Sequence, residues 1–418
     1  MQKYLLSIVL CLSLTCAKAD FLLVPMDQSQ SDHLKAYGIA FWVLEYQVEV
    51  EWLLNYRGGS FMFRYTPTFE QEMQIRGVGY EKISDGKSSE ILAYVTSEGV
   101  NMDAVKLEKA PKVAVYSPKN KQPWDDAVTL ALTYAEIPYE VVYDPDVLDG
   151  KLSDYDWLHL HHEDFTGQYG KFYKFSKNQQ WYQDEVKSQE NVAKIYGFKK
   201  VSQMKLAVAK FIQRYLEGGG FLFAMCSATD TYDIALASEG VDICDYMYDG
   251  DPKDPDANRK LNYRPTLAFE NFRLEMNPFK YEFSNIDSNV GRRVPEHMDY
   301  FTLFEFSAKW DPVPTMLCQN HTRTVKGFMG QTTAFRKSIL KTDVLVMGEL
   351  KAYGEARYIH GNSGKGMWTF YGGHDPEDYQ HLVGEDPTDL SLHPHSPGYR
   401  LILNNILFPA ARKKKRKT

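Results

Sequence analysis

Beyond residue 19 the chain has no apolar run long enough to cross a bilayer, which excludes a helical membrane span there. An excess of basic charge is missing as well. The formal charge is −7, and six basic residues fall in Arg412–Lys417, so the remainder carries −13 from 42 basic and 55 acidic residues. Such an acidic body excludes nucleic-acid binding as the main task. Cysteine is scarce, with five in 418 residues, and Cys11 and Cys16 fall in the first 19. The remaining three, Cys226, Cys244 and Cys318, are an odd number, which in an oxidising compartment predicts one disulfide and one free thiol. A Cys244–Cys318 pair would leave Cys226 free. Internal repeats are lacking too.

What is present suits a globular protein of two domains, or of one domain with large insertions: 44% apolar and 25% charged residues, with 28 tyrosines. Residues 1–19 have the pattern of a secretory leader: Lys3, the apolar stretch Leu5 to Leu14, and Ala17-Lys18-Ala19 before Asp20. Cleavage there predicts a periplasmic or otherwise extracytoplasmic protein, with lipidation at Cys16 as the alternative. The basic run Arg412–Lys417 is expected to be a solvated tail able to touch anionic lipid peripherally.

Residues 20–110 read as an N-terminal α/β region. Strands are expected at Phe21 to Pro25, Val48 to Leu54, Ser60 to Arg64 and Glu90 to Val95, with a helix over Ser29 to Tyr46. Strand and helix patterns then alternate: Lys112 to Tyr116, a helix from Trp124 to Ala135, Tyr139 to Tyr143, and Trp157 to His161. Short connections of this kind predict a doubly wound, mainly parallel, flavodoxin-like sheet over 111–409. Insertions are expected at 171–200 and 240–335, the latter with strands at Leu267 to Phe269, Phe301 to Phe306 and Thr315 to Cys318. Later strands are Val344 to Leu350 and Met367 to Tyr371. Gly361 to Gly366 lacks the spacing of a phosphate loop and reads as a hairpin turn. A last helix spans Tyr399 to Leu407, before a 410–418 tail.

The amphipathic pattern Val201 to Leu216 ends on Gly218-Gly219-Gly220, and the apolar run Phe221–Met225 leads to Cys226-Ser227-Ala228 and a second helix. This is the layout of a nucleophile elbow, in which a pinched strand-to-helix turn exposes one side chain. An ordinary turn holding a buried cysteine has the same pattern. Far downstream, the strand Met367 to Tyr371 runs into Gly372-Gly373-His374-Asp375-Pro376-Glu377. These two segments resemble the class I glutamine amidotransferase-like fold, in its trehalose-utilisation-like branch. The resemblance covers roughly 111–409. It implies Cys226 as nucleophile, His374 as general base, and Glu377 or Asp375 orienting the imidazole. It also implies an oxyanion site from the N–H of Ser227 and one after His161, near Gly167 or Gly170. With Leu34 to Gly38 and Leu53 to Gly59, the whole chain resembles secreted proteins labelled asparagine synthetase B. The catalytic N-terminal cysteine and Ser-Gly-Gly-x-Asp-Ser loop of an ATP-dependent synthetase are both missing.

His159-Leu160-His161-His162 is a second concentration of reactive side chains. On a strand, His159 and His161 share a face that could meet His374 around a metal, while His162 points away. Without paired ligand clusters, no metal or cofactor is assigned. Two readings follow: a cysteine-dependent amidase acting on a small amide, or a non-catalytic scaffold binding an envelope protein.

Overall fold

The computed structural model describes residues 20–118, 126–288, 292, 294–311, 313–380, 382 and 384–411. The leader and the run Arg412–Lys417 lie outside the described residues.

Two sheets organise the chain. The N-terminal sheet contains β1 (Phe21–Val24), β2 (Val50–Leu54), β3 (Ser60–Arg64), β4 (Glu81–Ile83) and β5 (Asp103–Leu107), in the order β4-β1-β3-β2-β5. All its pairs are antiparallel. The large sheet has ten strands: β6 (Val113–Tyr116), β7 (Glu140–Val142), β8 (Trp157–Leu160), β9 (Phe221–Met225), β10 (Tyr300–Leu303), β11 (Thr324–Lys326), β12 (Phe335–Arg336), β13 (Leu345–Leu350), β14 (Glu355–Ser363) and β15 (Gly366–Tyr371). Its order is β11-β10-β13-β14-β15-β9-β8-β6-β7, with β12 pairing to β14.

The expectation of a mainly parallel sheet is corrected to a mixed α/β architecture. Strands β7, β6, β8, β9 and β15 are parallel neighbours. On the other side of β15 every pairing is antiparallel. The reversal begins at the expected hairpin turn, where Ser363 pairs with Gly366. The stretch 240–335 then contributes β10 and β11 to the far edge.

Apolar continuity explains the parallel block, because strands covered on both faces carry no polar alternation. Along β9, Phe221, Phe223 and Met225 join one core with the helix Pro397–Leu407, and Leu222 and Ala224 join another with the helix Val201–Gly218. That second helix buries Val201, Met204, Val208, Ile212 and Leu216, a stripe at three- and four-residue spacing. The first core also takes in Leu22, Tyr37, Trp52 and Phe61, so the N-terminal sheet and the large sheet share one interior. Buried Arg400 spans that junction, donating to the Tyr37 hydroxyl and the Met26 carbonyl at 3.1 Å each, and to the Gly58 carbonyl.

Four local expectations fail. Leu267 to Phe269 forms an isolated bridge from Phe269 to Leu340 and not a strand, because the N–H groups of Leu267, Ala268 and Phe269 donate to the buried Asp233 carboxylate. Glu90 to Val95 is helical within Asp85–Thr96: Ser84 caps the Lys87 N–H, and Ser88, Ile91 and Val95 bury one face. Thr315 to Cys318 forms a tight helical turn, and the Leu317 carbonyl accepts from Asn404 Nδ2 at 3.1 Å instead of a strand partner. The Cys244–Cys318 disulfide is absent. Cys244 sits in a small core with Tyr169 and Tyr182, Cys318 lies in the main core, and both are free thiols. No helix of the described residues is long and apolar enough to cross a membrane.

Helix packing makes a paired prediction. A Cβ at Gly38 would lie 1.8 Å from the Ala135 carbonyl oxygen, whereas at Gly86 the nearest atom is 3.9 Å away. Gly38→Ala should lower stability in urea unfolding by about 2 kcal/mol, the overpacking cost exceeding the helix-propensity gain. Gly86→Ala should raise it by about 0.5 kcal/mol. Equal effects of the two would contradict this packing.

Candidate functional site

Parallel register brings the strand ends level. Leu160 of β8 pairs with Ala224 of β9, and Met225 of β9 pairs with Tyr371 of β15. The residues that follow, His161-His162, Cys226 and Gly372-Gly373-His374, therefore leave the sheet along the same edge. Hydrogen bonds tie them: Cys226 N–H donates to the Gly373 carbonyl at 3.1 Å and Ala228 N–H to the His161 carbonyl at 2.8 Å.

Cys226 has φ 49°, a left-handed conformation rare for a side-chain-bearing residue and costing about 1–3 kcal/mol. The helix Ala228–Ala237 starts two residues later, so the expected elbow turn is present. Its thiol is nonetheless covered, with Cys226 only 3% exposed. The lid is the segment Phe328–Thr333, whose Gln331 N–H points at the sulfur from 3.4 Å. Burial pushes the Cys226 thiol up to about 11, although backbone N–H groups of Gln331, Ser227 and Thr332 pull the other way.

The same lid explains the Gly-Gly pair. A Cβ at Gly372 would meet the Thr333 carbonyl oxygen at 2.7 Å, and one at Gly373, where φ is 115°, would meet the Phe328 ring at 2.1 Å. Glycine at both positions lets the lid lie directly on the sheet edge.

Three imidazoles converge at this edge. His161 and His374 ring centroids are 4.5 Å apart, His161 and His162 are 5.1 Å apart, and His162 and His374 are 6.2 Å apart. This corrects the expected strand alternation. β8 ends at Leu160, and beyond it the chain turns so that His162 joins His161 instead of pointing away. Burial and the neighbouring His161 lower His162 to about 3, which keeps its ring neutral at ordinary pH.

Asp126 backs the cluster. One carboxylate oxygen caps the helix Ala127–Tyr134 through the Val128 and Thr129 N–H groups at 2.7 and 3.0 Å. The other lies 3.1 Å from His159 Nε2 and 3.0 Å from His161 Nδ1. Burial opposes ionisation there, but the two imidazoles hold the carboxyl well below its usual range. Nothing in the sequence pattern marked Asp126, because its role depends on the fold bringing residues 126 and 161 together.

The structure gives the two carboxylates proposed to orient His374 other partners. Asp375 accepts the Glu377 N–H at 2.9 Å and the Thr388 hydroxyl at 2.8 Å, while Glu377 lies 3.3 Å from His393 Nδ1. The expected oxyanion donors also change. Gly170 N–H is spent on Asp164 Oδ2 at 3.0 Å, and Gly167, at φ 80°, lies against the Ser202 backbone. Ser227 remains at the elbow, fully buried, its hydroxyl without a hydrogen-bond partner among the described residues. Gln331 and Thr332, which were not anticipated, lie inside the stretch read as an insertion. Asp230, one helical turn beyond Cys226, accepts from the Thr332 hydroxyl at 3.0 Å, and burial together with Asp287 raises its carboxyl well above the normal range.

No family model and no curated protein matches the chain. Among solved structures it is similar to the Cytoplasmic Protein STM3548 from Salmonella typhimurium, with 10% identity and a TM-score of 0.35. It is similar also to the Cytoplasmic Protein STM1381 from Salmonella typhimurium LT2, with 12% identity and a TM-score of 0.35. Each similarity covers 72% of this chain and all of the other.

Thiol reactivity checks the environment of Cys226. A thiol near 11 holds about 100-fold less thiolate at pH 8 than one near its ordinary value of 9.0. Iodoacetamide should therefore label Cys226 in the native protein at least about 100-fold more slowly than in urea, with the rate climbing about tenfold per pH unit up to pH 11. Fast labelling that levels off below pH 8 would contradict the buried thiol.

Proposed function

We propose that the chain is an extracytoplasmic hydrolase of small amides with a class I glutamine amidotransferase-like fold, working from the edge that carries Cys226 and His374. The observation that carries this reading is the left-handed elbow at Cys226. A strained side-chain-bearing residue at a strand-to-helix turn is a feature that packing alone does not require. Support for the flavodoxin-like fold comes from the parallel block, whose strands in chain order lie 2-1-3-4-5 across the sheet. The trehalose-utilisation-like branch and the secreted proteins labelled asparagine synthetase B supply the sequence resemblance on which this reading draws. ATP-dependent synthesis forms no part of the proposal.

In this reading the lid Phe328–Thr333 withdraws to admit substrate. The Cys226 sulfur then attacks the amide carbonyl, forming a C–S bond, while its proton passes to His374 and on to the departing amine as the C–N bond breaks. Water releases the acyl group as an acid and restores the thiol. The Ser227 peptide N–H, which stays at the elbow when the lid moves, supplies a donor for the oxyanion. Because the resting thiol is protonated, His374 acts as a base during attack and not by storing a thiolate.

A second reading, a non-catalytic scaffold in a cell-envelope assembly, is favoured by the sealed position of Cys226. Ammonia release from glutamine, asparagine and simple primary amides separates the two. The hydrolase reading expects Cys226→Ala to lower release by about 10³-fold or more, and His374→Gln by about 10²–10⁴-fold. Release by Cys226→Ala equal to that of the unaltered protein sinks the thiol mechanism, and no release by any form favours the scaffold.

A further inference from the structure

We propose that His161, His162 and His374 bind one divalent transition-metal ion of the zinc class at the sheet edge. Each imidazole offers one nitrogen, and the three nitrogens lie within 4.8 Å of one another. Tetrahedral zinc with Zn–N bonds of about 2.0–2.1 Å places its donors about 3.4 Å apart, so modest ring rotations complete the set. Imidazole donors suit zinc, copper, nickel and iron over calcium or magnesium. Three protein donors leave a coordination position for water or a substrate atom.

A second observation points to the same ligand. His161 is 1% exposed, and its Nε2 has no hydrogen-bond partner among the described residues. Leaving a buried ring nitrogen unmatched costs stability unless something else occupies its lone pair. Its other nitrogen faces the Asp126 carboxylate at 3.0 Å. That is the carboxylate–histidine arrangement which fixes the tautomer of a metal-binding imidazole and turns its free nitrogen toward the ion.

Two neighbouring clusters are less suited. Asp126, His159 and His161 also gather their donors, but both His159 nitrogens are engaged, Nδ1 with the Phe223 carbonyl at 3.2 Å and Nε2 with Asp126 at 3.1 Å. Asp242, Cys244 and Asp249 form another group. There Lys200 Nζ already supplies the positive charge, 2.5 Å from Asp242 and 3.0 Å from Asp249.

Metal binding does not require the thiol, since Cys226 is no part of the ligand set. It also competes with that mechanism for His374, whose lone pair serves either the ion or a proton. The test is to strip the purified full-length protein with a chelator, titrate cobalt(II), and record the visible spectrum, with zinc added afterwards as competitor. The proposal expects about one cobalt per chain, with the intense visible bands of a low-coordinate site that zinc displaces. His162→Gln and His374→Gln should lose the bands while retaining native circular dichroism. Asp126→Asn should weaken binding by about 10–100-fold. Cys226→Ala should bind as the unaltered protein does, so loss of ammonia release with cobalt binding intact bears on the thiol alone. Absence of the bands in the unaltered protein, or full retention of them in His374→Gln, overturns the proposal.

Discussion

Everything at the candidate site depends on the in-register parallel contact of β8, β9 and β15. A shift of one residue would turn every side chain of a strand to the opposite face, moving Phe221, Phe223 and Met225 out of one core and Leu222 and Ala224 out of the other. Both cores therefore fix the register, and the register fixes where the three strands end. His161, His162, Cys226 and His374 lie along one edge because each follows closely on one of those ends. The reactive groups need no packing signal of their own.

Coverage of that edge has opposing chemical effects. The lid Phe328–Thr333 lies close enough to require glycine at 372 and 373, and it brings the Gln331 N–H onto the Cys226 sulfur. Donor groups of that kind favour a thiolate, but the burial that accompanies them costs more, and the thiol ends well above its ordinary range. The same exclusion of water keeps His162 neutral, with ring nitrogens of His161, His162 and His374 within 4.8 Å of one another. A dry edge thus weakens the cysteine as a resting nucleophile and strengthens the histidines as ligands.

Much of this was legible in the sequence wherever a local pattern decides the outcome. The strands Phe221–Met225 and Gly366–Tyr371 are apolar enough to read as buried, and Cys226 between the Phe221–Met225 run and a second helical pattern reads as an elbow. The strands Phe21–Val24, Val50–Leu54 and Ser60–Arg64 and the helix His33–Glu45 also followed from local periodicity, within a few residues at their ends, whereas the strands Glu81–Ile83 and Asp103–Leu107 did not. Features set by distant contacts were not legible. Glu90 to Val95 has strand-like composition, yet the Ser84 cap and the buried stripe Ser88, Ile91 and Val95 make it helical. Asp375 and Glu377 sit at triad-like spacing, but Thr388 and His393 from a later loop are their partners. The lid and Asp126 belong to the site only through the fold, and spacing within the chain carries no trace of that.

The central claim is that one edge of the large sheet unites the elbow thiol and the three imidazoles in a single environment. Ring ¹⁵N chemical shifts of all histidines, compared between the unaltered protein and Cys226→Ser, test it most directly. The account predicts that signals of His161, His162 and His374 move, while those of His33, His321 and His360, which lie in other parts of the fold, stay in place. Unmoved signals from His161, His162 and His374 would contradict it.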